Sequence, residues 1–491
     1  MLREGRFKKS MDPDAAEYST SLEDDPRLFG AVVEINMAHV QMLWEREIID
    51  ESSANQILGS LFKLQEEGLD ALDLRPELED IHMAVEEYVK EEVGEDVGGK
   101  LHTAKSRNDQ VSTAIRMVLR EEILEIQELI ADFVGVLVER AGENTETVIP
   151  GYTHLQVAEP TTFGHYLAAY GQTFVRDLKR LNASYEETNR CPLGACAFAG
   201  TSFPIDRSLT SAQLGFDGIL ENTMDAVGSR DFALQTMSGL AILMTNLSRL
   251  CEELVLWSSS EFDMIEIPDE FSTTSSIMPQ KKNPEIIELG RAKSGSVIGD
   301  LVGGLNIVKG LPQAYDLDLQ ELTPLLWNSV DQVKSTLLVM RKLVSKLEPK
   351  PENMYENAER GFATLTELAN TLVRETDVPF RRAHKIVGKL ASIVSDEGKS
   401  LGDLTLEDLL SASREIVGEE VEISEDQFEE ALDLHGSVES RRVVGGPSSD
   451  SVEEELSKLE KKVSNYGKII EKRRDSLDEA KEMLLDLARG G

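Results

Sequence analysis

Residues 273–284 read TTSSIMPQKKNP. Hydroxyls, two lysines and an amide between prolines could take a proton from a carbon beside a carboxylate. Removing such a proton leaves a doubly charged aci-carboxylate, which fixed cations and amide donors must meet. Lys281 and Asn283 are candidates for that task. A serine of the pair Ser275–Ser276, beside lysine and helix-end dipoles, could act as the base once its proton is made acidic enough. The helix that follows bears Glu285, Glu288 and Arg291. The plain alternative is a basic loop capping that helix, with Pro284 at an early helical position. Residue types alone leave both readings open.

Three other segments carry polar residues of a similar kind. LHTAKSRNDQVSTA (101–114) crowds His102, Lys105, Ser106, Arg107, Asn108 and Asp109 at the entrance of a helix beginning near Val111. Asn108 or Asp109 suits the N-cap. A cap does not call for Lys105 and Arg107, which oppose the positive helix N-terminus. Together those cations would attract a carboxylate ligand. IPGYTHLQVAEPTT (149–162) sets Thr153 and His154 between Gly151 and a Pro160 that opens the next helix. A lone histidine is often structural. As a general acid or base it needs a near-neutral pKa and a partner to orient its ring. GLPQAYDLDLQE (310–321) holds Tyr315 and Gln320 and, taken alone, reads as a connecting loop.

Loops so far apart in sequence need a frame, and the dominant period is helical. Leu119, Ile123, Ile126, Ile130, Phe133 and Leu137 form one apolar series; Met237, Leu240, Met244, Leu247, Cys251 and Leu254 form another. Steps of four and three over about five turns predict long amphipathic helices with one buried stripe. Stripes this long need partner helices, from the chain itself or from other subunits. Near the C-terminus Val452, Leu456, Leu459, Val463, Tyr466 and Ile470, then Leu477, Ala480, Leu484 and Leu487, keep a heptad register that Arg473 interrupts. That seam reads as a helix packed along its own domain, with a free coiled coil as the alternative. Strand signals are few and short, as in ENTETVIPGYTHLQV (143–157). Breakers at GEDVGGKLHT (94–103), NRCPLGACAFAGTSFPIDRS (189–208) and KLEPKPENM (346–354) divide the chain. Domains are expected near 1–104, 105–353 and 354–491.

Composition narrows the function. Ninety acidic residues face 51 Lys plus Arg over 491 residues, a formal charge of −39. That argues against nucleic-acid binding, which wants basic patches. The plain reading is a solvated surface. Such repulsion is best tolerated in a salty cytosol, where screening lengths fall to a few ångströms at about 1 M salt. Cys191, Cys196 and Cys251 are too few for a disulfide framework, so a reducing, cytoplasmic setting is expected and buried thiols are the simpler reading. No apolar run is long enough to span a membrane, and the basic N-terminus lacks the apolar stretch of a secretory signal.

Taken together and in this order, the four loops resemble the fumarase/aspartase superfamily and, within it, the argininosuccinate lyase family. TSSIMPQKKNP is similar to the superfamily's signature loop, and its double lysine fits that family better than fumarases. SRNDQV (106–111), GYTHLQ (151–156), GRF (5–7), EDIHMAVE (79–86), VPFRRAHKIVG (378–388) and GSVESRRVVGG (436–446) point the same way. The resemblance implies an all-α, three-domain, elongated protomer with a central long-helix bundle. It implies a homotetramer whose active sites gather loops from different subunits. It also implies reversible β-elimination of argininosuccinate to arginine and fumarate, in arginine biosynthesis, without metal or organic cofactor. By matching position, Ser275 is the base, Lys281 and Asn283 hold the charged carboxylate, His154 is the acid, and Glu288 orients it. Ser21, Arg107, Asn108, Thr153, Tyr315 and Gln320 fall at substrate-binding positions, with His82 and His102 in supporting places.

The chain departs from the family pattern at Thr274, at Ala104-Lys105 and at Thr323. In these places the family commonly carries glycine, Gly-Arg and a substrate-contacting lysine. The alternatives are another lyase of the superfamily, acting on adenylosuccinate, aspartate or malate, and a structural homologue that has lost its chemistry.

Overall fold

The apolar stripes become long helices. In a computed structural model, residues 11–397 and 400–490 are described, and the GRF motif lies outside them. Numbering only the longer helices, the N-terminal part supplies α1 (Phe29–Glu45), α2 (Glu51–Glu67) and α3 (Ile81–Val93). The central part supplies α4 (Arg107–Gly142), α5 (Phe163–Thr188), α6 (Asp231–Trp257), α7 (Glu285–Val308) and α8 (Leu322–Ser345). Neighbouring helices α4 to α8 pack in sequence, and α8 returns to α4, closing a bundle. Every residue of the Leu119 and Met237 series is fully buried in it. The rings of Phe133 on α4 and Phe174 on α5 meet at 5.1 Å between centroids.

Strands are short. Besides two-residue ladders, the described residues hold one hairpin, β1 (Val148–Thr153) with β2 (Gln156–Thr162). Pro160 does not open the next helix. It lies in β2 opposite Pro150, and Thr162 caps α5 by accepting from the His165 amide at 3.0 Å. A hairpin needs no second partner on its outer edges, so a proline there leaves no ladder bond unmade. Pro349 also sits in a ladder, β3 (Ile265–Glu266) with the segment Glu348–Pro349, and Pro351 starts the helix Pro351–Arg360.

Helices α9 (Leu365–Glu375), α10 (Phe380–Glu397), α11 (Leu406–Val417) and α12 (Glu425–Leu432) bury a separate core around Leu368, Ile386, Leu390, Leu409 and Phe428. The last helix, α13 (Ser449–Gly490), leaves that core and packs along α4, α5 and α2. Its seam residues Val452, Leu456, Leu459, Ile470, Leu477 and Leu484 are buried there. Leu487 is exposed instead, and Ala488 takes the buried place. Arg473, the interruption in the register, lays its guanidinium 4.1 Å from the Tyr185 ring centre, so a cation stacks where an aliphatic group would otherwise pack. All three cysteines are free and buried. No helix among the described residues is long and apolar enough to cross a membrane.

Candidate active site

The N-terminus of α4 begins four residues earlier than the apolar pattern suggests. Ser106 is the N-cap, with Asp109 completing a capping box. Asp109 does more than cap. Its Oδ1 accepts from the Ser106 amide at 3.1 Å, and its Oδ2 accepts from the amides of Gly194 and Cys196 at 2.9 and 2.7 Å. The carboxylate thus clasps the irregular 189–208 segment to the helix start. Asn108 adds a bond from Nδ2 to the Ala197 carbonyl at 3.2 Å. Lys105 does not face a ligand: it is buried and donates to the side chain of Asn36. Ala104, where the family commonly carries glycine, has φ 59°, a left-handed conformation that a side chain disfavours.

A cavity of about 560 Å³ opens beside this helix start. Ser21, Arg107, Asn108, Tyr315 and Gln320 all line it, together with His82, His102 and Thr323. Gln320 donates from Nε2 to the Ser19 carbonyl at 3.2 Å, tying the 310–321 loop to the N-terminal segment. Arg107 is held between Glu79 at 2.6 Å and Asp80 at 2.9 Å. His102 bonds Glu86 at 2.9 Å through Nδ1. The His82 ring is buried with neither nitrogen partnered among the described residues, and burial beside Arg107 and Lys105 pushes its pKa down to about 3. That ring is neutral and offers the cavity one donor and one acceptor.

The structure adds Asp24, Asp25, Asp80 and Arg230 to this wall. Asp25 accepts from the Ser21 hydroxyl at 2.9 Å and from the Ile81 amide at 3.0 Å, and burial pushes its pKa up to about 6. In sequence these acids are lost among the chain's ninety, and Arg230 lies in a segment with no periodic signal. Two adjacent aspartates before Pro26 at a helix entrance were the available cue for Asp25.

The remaining site residues lie elsewhere on the chain. Thr153, His154 and Leu155 are exposed at the tip of the β1–β2 hairpin. The Thr153–Gln156 pair closes a two-residue loop in which His154 and Leu155 both have φ 57°. Such a turn favours Asn-Gly, so holding a histidine in it is a local strain of the kind concentrated at functional sites. The hairpin is seated by Gly361, where any Cβ would lie 2.5 Å from the Val157 side chain.

The 273–284 loop is closed by a ladder of β4 (Thr273–Thr274) with β5 (Lys282–Asn283). Ser275 Oγ accepts from the amides of Ile277 and Met278 at 3.3 and 3.1 Å. Amide donors to a hydroxyl oxygen favour its deprotonated form. The two lysines divide their work. Lys282 pairs with Glu266 at 2.7 Å and Asp269 at 2.8 Å and so anchors the loop, while Lys281 is exposed without an ion pair among the described residues. The loop tip is apolar, with Ile277 82% exposed. No hydrogen bond joins Glu288 to His154 among the described residues, and none of Thr153, His154, Ser275, Lys281, Asn283 and Glu288 lines the cavity.

Comparison with known proteins decides the family. Residues 5–299 match the family model described as Lyase, and residues 362–439 match one described as Argininosuccinate lyase C-terminal. The argininosuccinate lyase of Methanothermobacter thermautotrophicus is 47% identical over 92% of this chain and 96% of its own. The chain belongs to the argininosuccinate lyase family. The argininosuccinate lyase of Methanosarcina barkeri is 43% identical over 99% of this chain and 98% of its own. Among solved structures, EDDS lyase in complex with formate superposes with a TM-score of 0.89 at 30% identity, covering 99% of this chain and 97% of that one. A class II fumarase from Schistosoma mansoni, 16% identical with a TM-score of 0.71 over 88% of this chain and 93% of its own, shares the fold.

Proposed function

We propose that this chain is an argininosuccinate lyase, a carbon–nitrogen lyase that cleaves argininosuccinate reversibly to arginine and fumarate in arginine biosynthesis. The observation that carries this reading is identity of 43–47% to argininosuccinate lyases over more than nine tenths of the chain. The cavity fits the substrate's chemistry: its acidic wall suits the guanidinium and ammonium groups, and its hydroxyl and amide side chains suit polar positioning.

In the proposed mechanism Ser275 takes a proton from Cβ of the succinyl part. The electron pair left behind forms the carbon–carbon double bond as the bond from Cα to the guanidino nitrogen breaks. Lys281 and Asn283 stabilise the carboxylate that carries the transient charge. His154, oriented by Glu288, gives a proton to the departing nitrogen, directly or through water. Acid–base transfer of this kind contributes about 10²–10⁴-fold. Lys281 is suited to its role because Lys282 already neutralises the nearby acids.

The placement of these groups supports a shared assembly. Ser275 and His154 are displayed on loops away from the cavity that holds Ser21, Arg107, Asn108, Tyr315 and Gln320. We infer a homotetramer in which neighbouring protomers bring the Ser275 loop and the His154 hairpin to that cavity. The exposed apolar residues Leu289, Ile298, Val302 and Leu305 on α7 support it, since a helix face of this kind suits burial against another subunit. For the domain division near 104 and 353, we propose that α13 be grouped with the central bundle on which it packs.

The test is a substrate panel read by fumarate absorbance in the ultraviolet. Purified protein is expected to release fumarate from argininosuccinate. Activity confined to adenylosuccinate, aspartate or malate would assign a different lyase, and silence on all four would favour a structural homologue.

A further inference from the structure

The cavity wall contains a cation with no acid partner among the described residues. Arg230, the residue before α6, is 3% exposed. Its Nη1 donates to the carbonyls of Val227 and Ser229 at 3.0 and 2.8 Å, and its Nε is buried without an acceptor among the described residues. The turn that carries it is fixed by a close approach. A Cβ on Gly228 would lie 2.6 Å from the Ala314 carbonyl oxygen and 2.8 Å from its nitrogen, so only glycine lets this backbone pack beside Tyr315. Behind it, Arg116 donates to the carbonyls of Glu187 and Thr188 and to the Ser229 hydroxyl, likewise without an ion pair among the described residues. Burial pushes the pKa of Arg230 down to about 10, with the phenol of Tyr315 the one group opposing that shift.

A buried guanidinium without a counter-ion is costly, and such groups are normally paired. Arg107, the other arginine of the wall, is committed to Glu79 and Asp80. Thr323 lies in the same wall where the family usually has a substrate-contacting lysine. On the lyase reading, the ligand end that enters here is an α-amino acid, whose ammonium can face Asp24 and Asp25. Its carboxylate needs a cation that Thr323 does not supply. Nε is closed off, so Nη2, which makes no hydrogen bond among the described residues, is the guanidinium nitrogen left to meet that carboxylate.

We propose that Arg230 is the carboxylate seat of this cavity, binding the α-carboxylate at the arginine end of the ligand in place of the missing lysine. This rests on the lyase reading for the identity of the ligand. Titration calorimetry on the full-length protein compares L-arginine with agmatine, which lacks only that carboxylate. Wild-type protein should bind arginine at least tenfold more tightly than agmatine. Arg230→Gln should remove most of the difference by weakening arginine alone, and Arg230→Lys should retain part of it. Equal weakening of both ligands, or unchanged arginine affinity, overturns the proposal. Should Arg230→Gln fail to fold, Thr323→Lys decides the matter in an otherwise native chain. With the seat already filled, arginine affinity should change less than threefold, and a tenfold gain would show that the seat lacked its cation. Argininosuccinate turnover is measured in parallel. No turnover with intact discrimination sinks the lyase reading and spares Arg230; turnover without discrimination does the reverse.

Discussion

Asp109 gives a prediction whose size can be worked from the structure. Its carboxylate is 0% exposed and accepts three backbone N–H groups, from Ser106, Gly194 and Cys196. Asp109→Ala orphans all three donors, at about 1–3 kcal/mol each, or roughly 6 kcal/mol in all. The same change also removes a burden. Burial raises the Asp109 pKa from 3.8 to about 6 despite its donors, so the charged form costs the fold about 3 kcal/mol at neutral pH. The net loss for Asp109→Ala is therefore about 3 kcal/mol. Asp109→Asn keeps one carbonyl oxygen for the Gly194 and Cys196 amides, orphans one donor and carries no charge. Its loss should be within about 1 kcal/mol of zero. Because the folded pKa lies above the unfolded one, this group's favourable contribution is complete below pH 3.8 and disappears as pH rises through about 6. Both variants should lack that segment of the pH–stability curve. Urea unfolding of the three proteins at pH 4 and pH 7.5 measures all of this. An Asn variant as unstable as the Ala variant at pH 7.5 would refute the reasoning, because the ionic clasp would then outweigh its burial.

Two further outcomes follow from the proposed chemistry and the composition. Ser275→Ala should abolish fumarate release while leaving arginine binding by calorimetry nearly intact, and wild-type rates in that variant would remove Ser275 as the base. Unfolding midpoints should rise from low to molar KCl, since 90 acidic side chains repel one another less under strong screening. A flat response would discard the halophilic reading of the charge.

What the sequence made legible was local. The Leu119 and Met237 stripes announced buried helices because helical periodicity repeats every turn, whatever the helix packs against. Ser21, Arg107, Asn108, Tyr315 and Gln320 converge on one cavity, although residue types alone left the 310–321 loop unremarkable and said nothing of Ser21. Less legible were facts that depend on partners far along the chain. Ser106 rather than Asn108 or Asp109 caps α4, because Asp109 is drawn to amides more than eighty residues away. Lys105 is turned inward by Asn36, which no local pattern connects to it. Pro160 looked like a helix opener because the hairpin register that places it opposite Pro150 is invisible in composition. Arg230 carried no signal, since its place in the wall is set by a backbone contact between Gly228 and Ala314.

Complementation between silent variants tests the shared site most directly. Ser275→Ala and His154→Asn are each expected to be inactive alone. In the proposed assembly each site takes the hydroxyl from one subunit and the imidazole from another, so random co-assembly should restore about a quarter of the sites. Recovery near that level, read as fumarate released from argininosuccinate, is the predicted result. A mixed assembly as silent as its two parents would contradict the account.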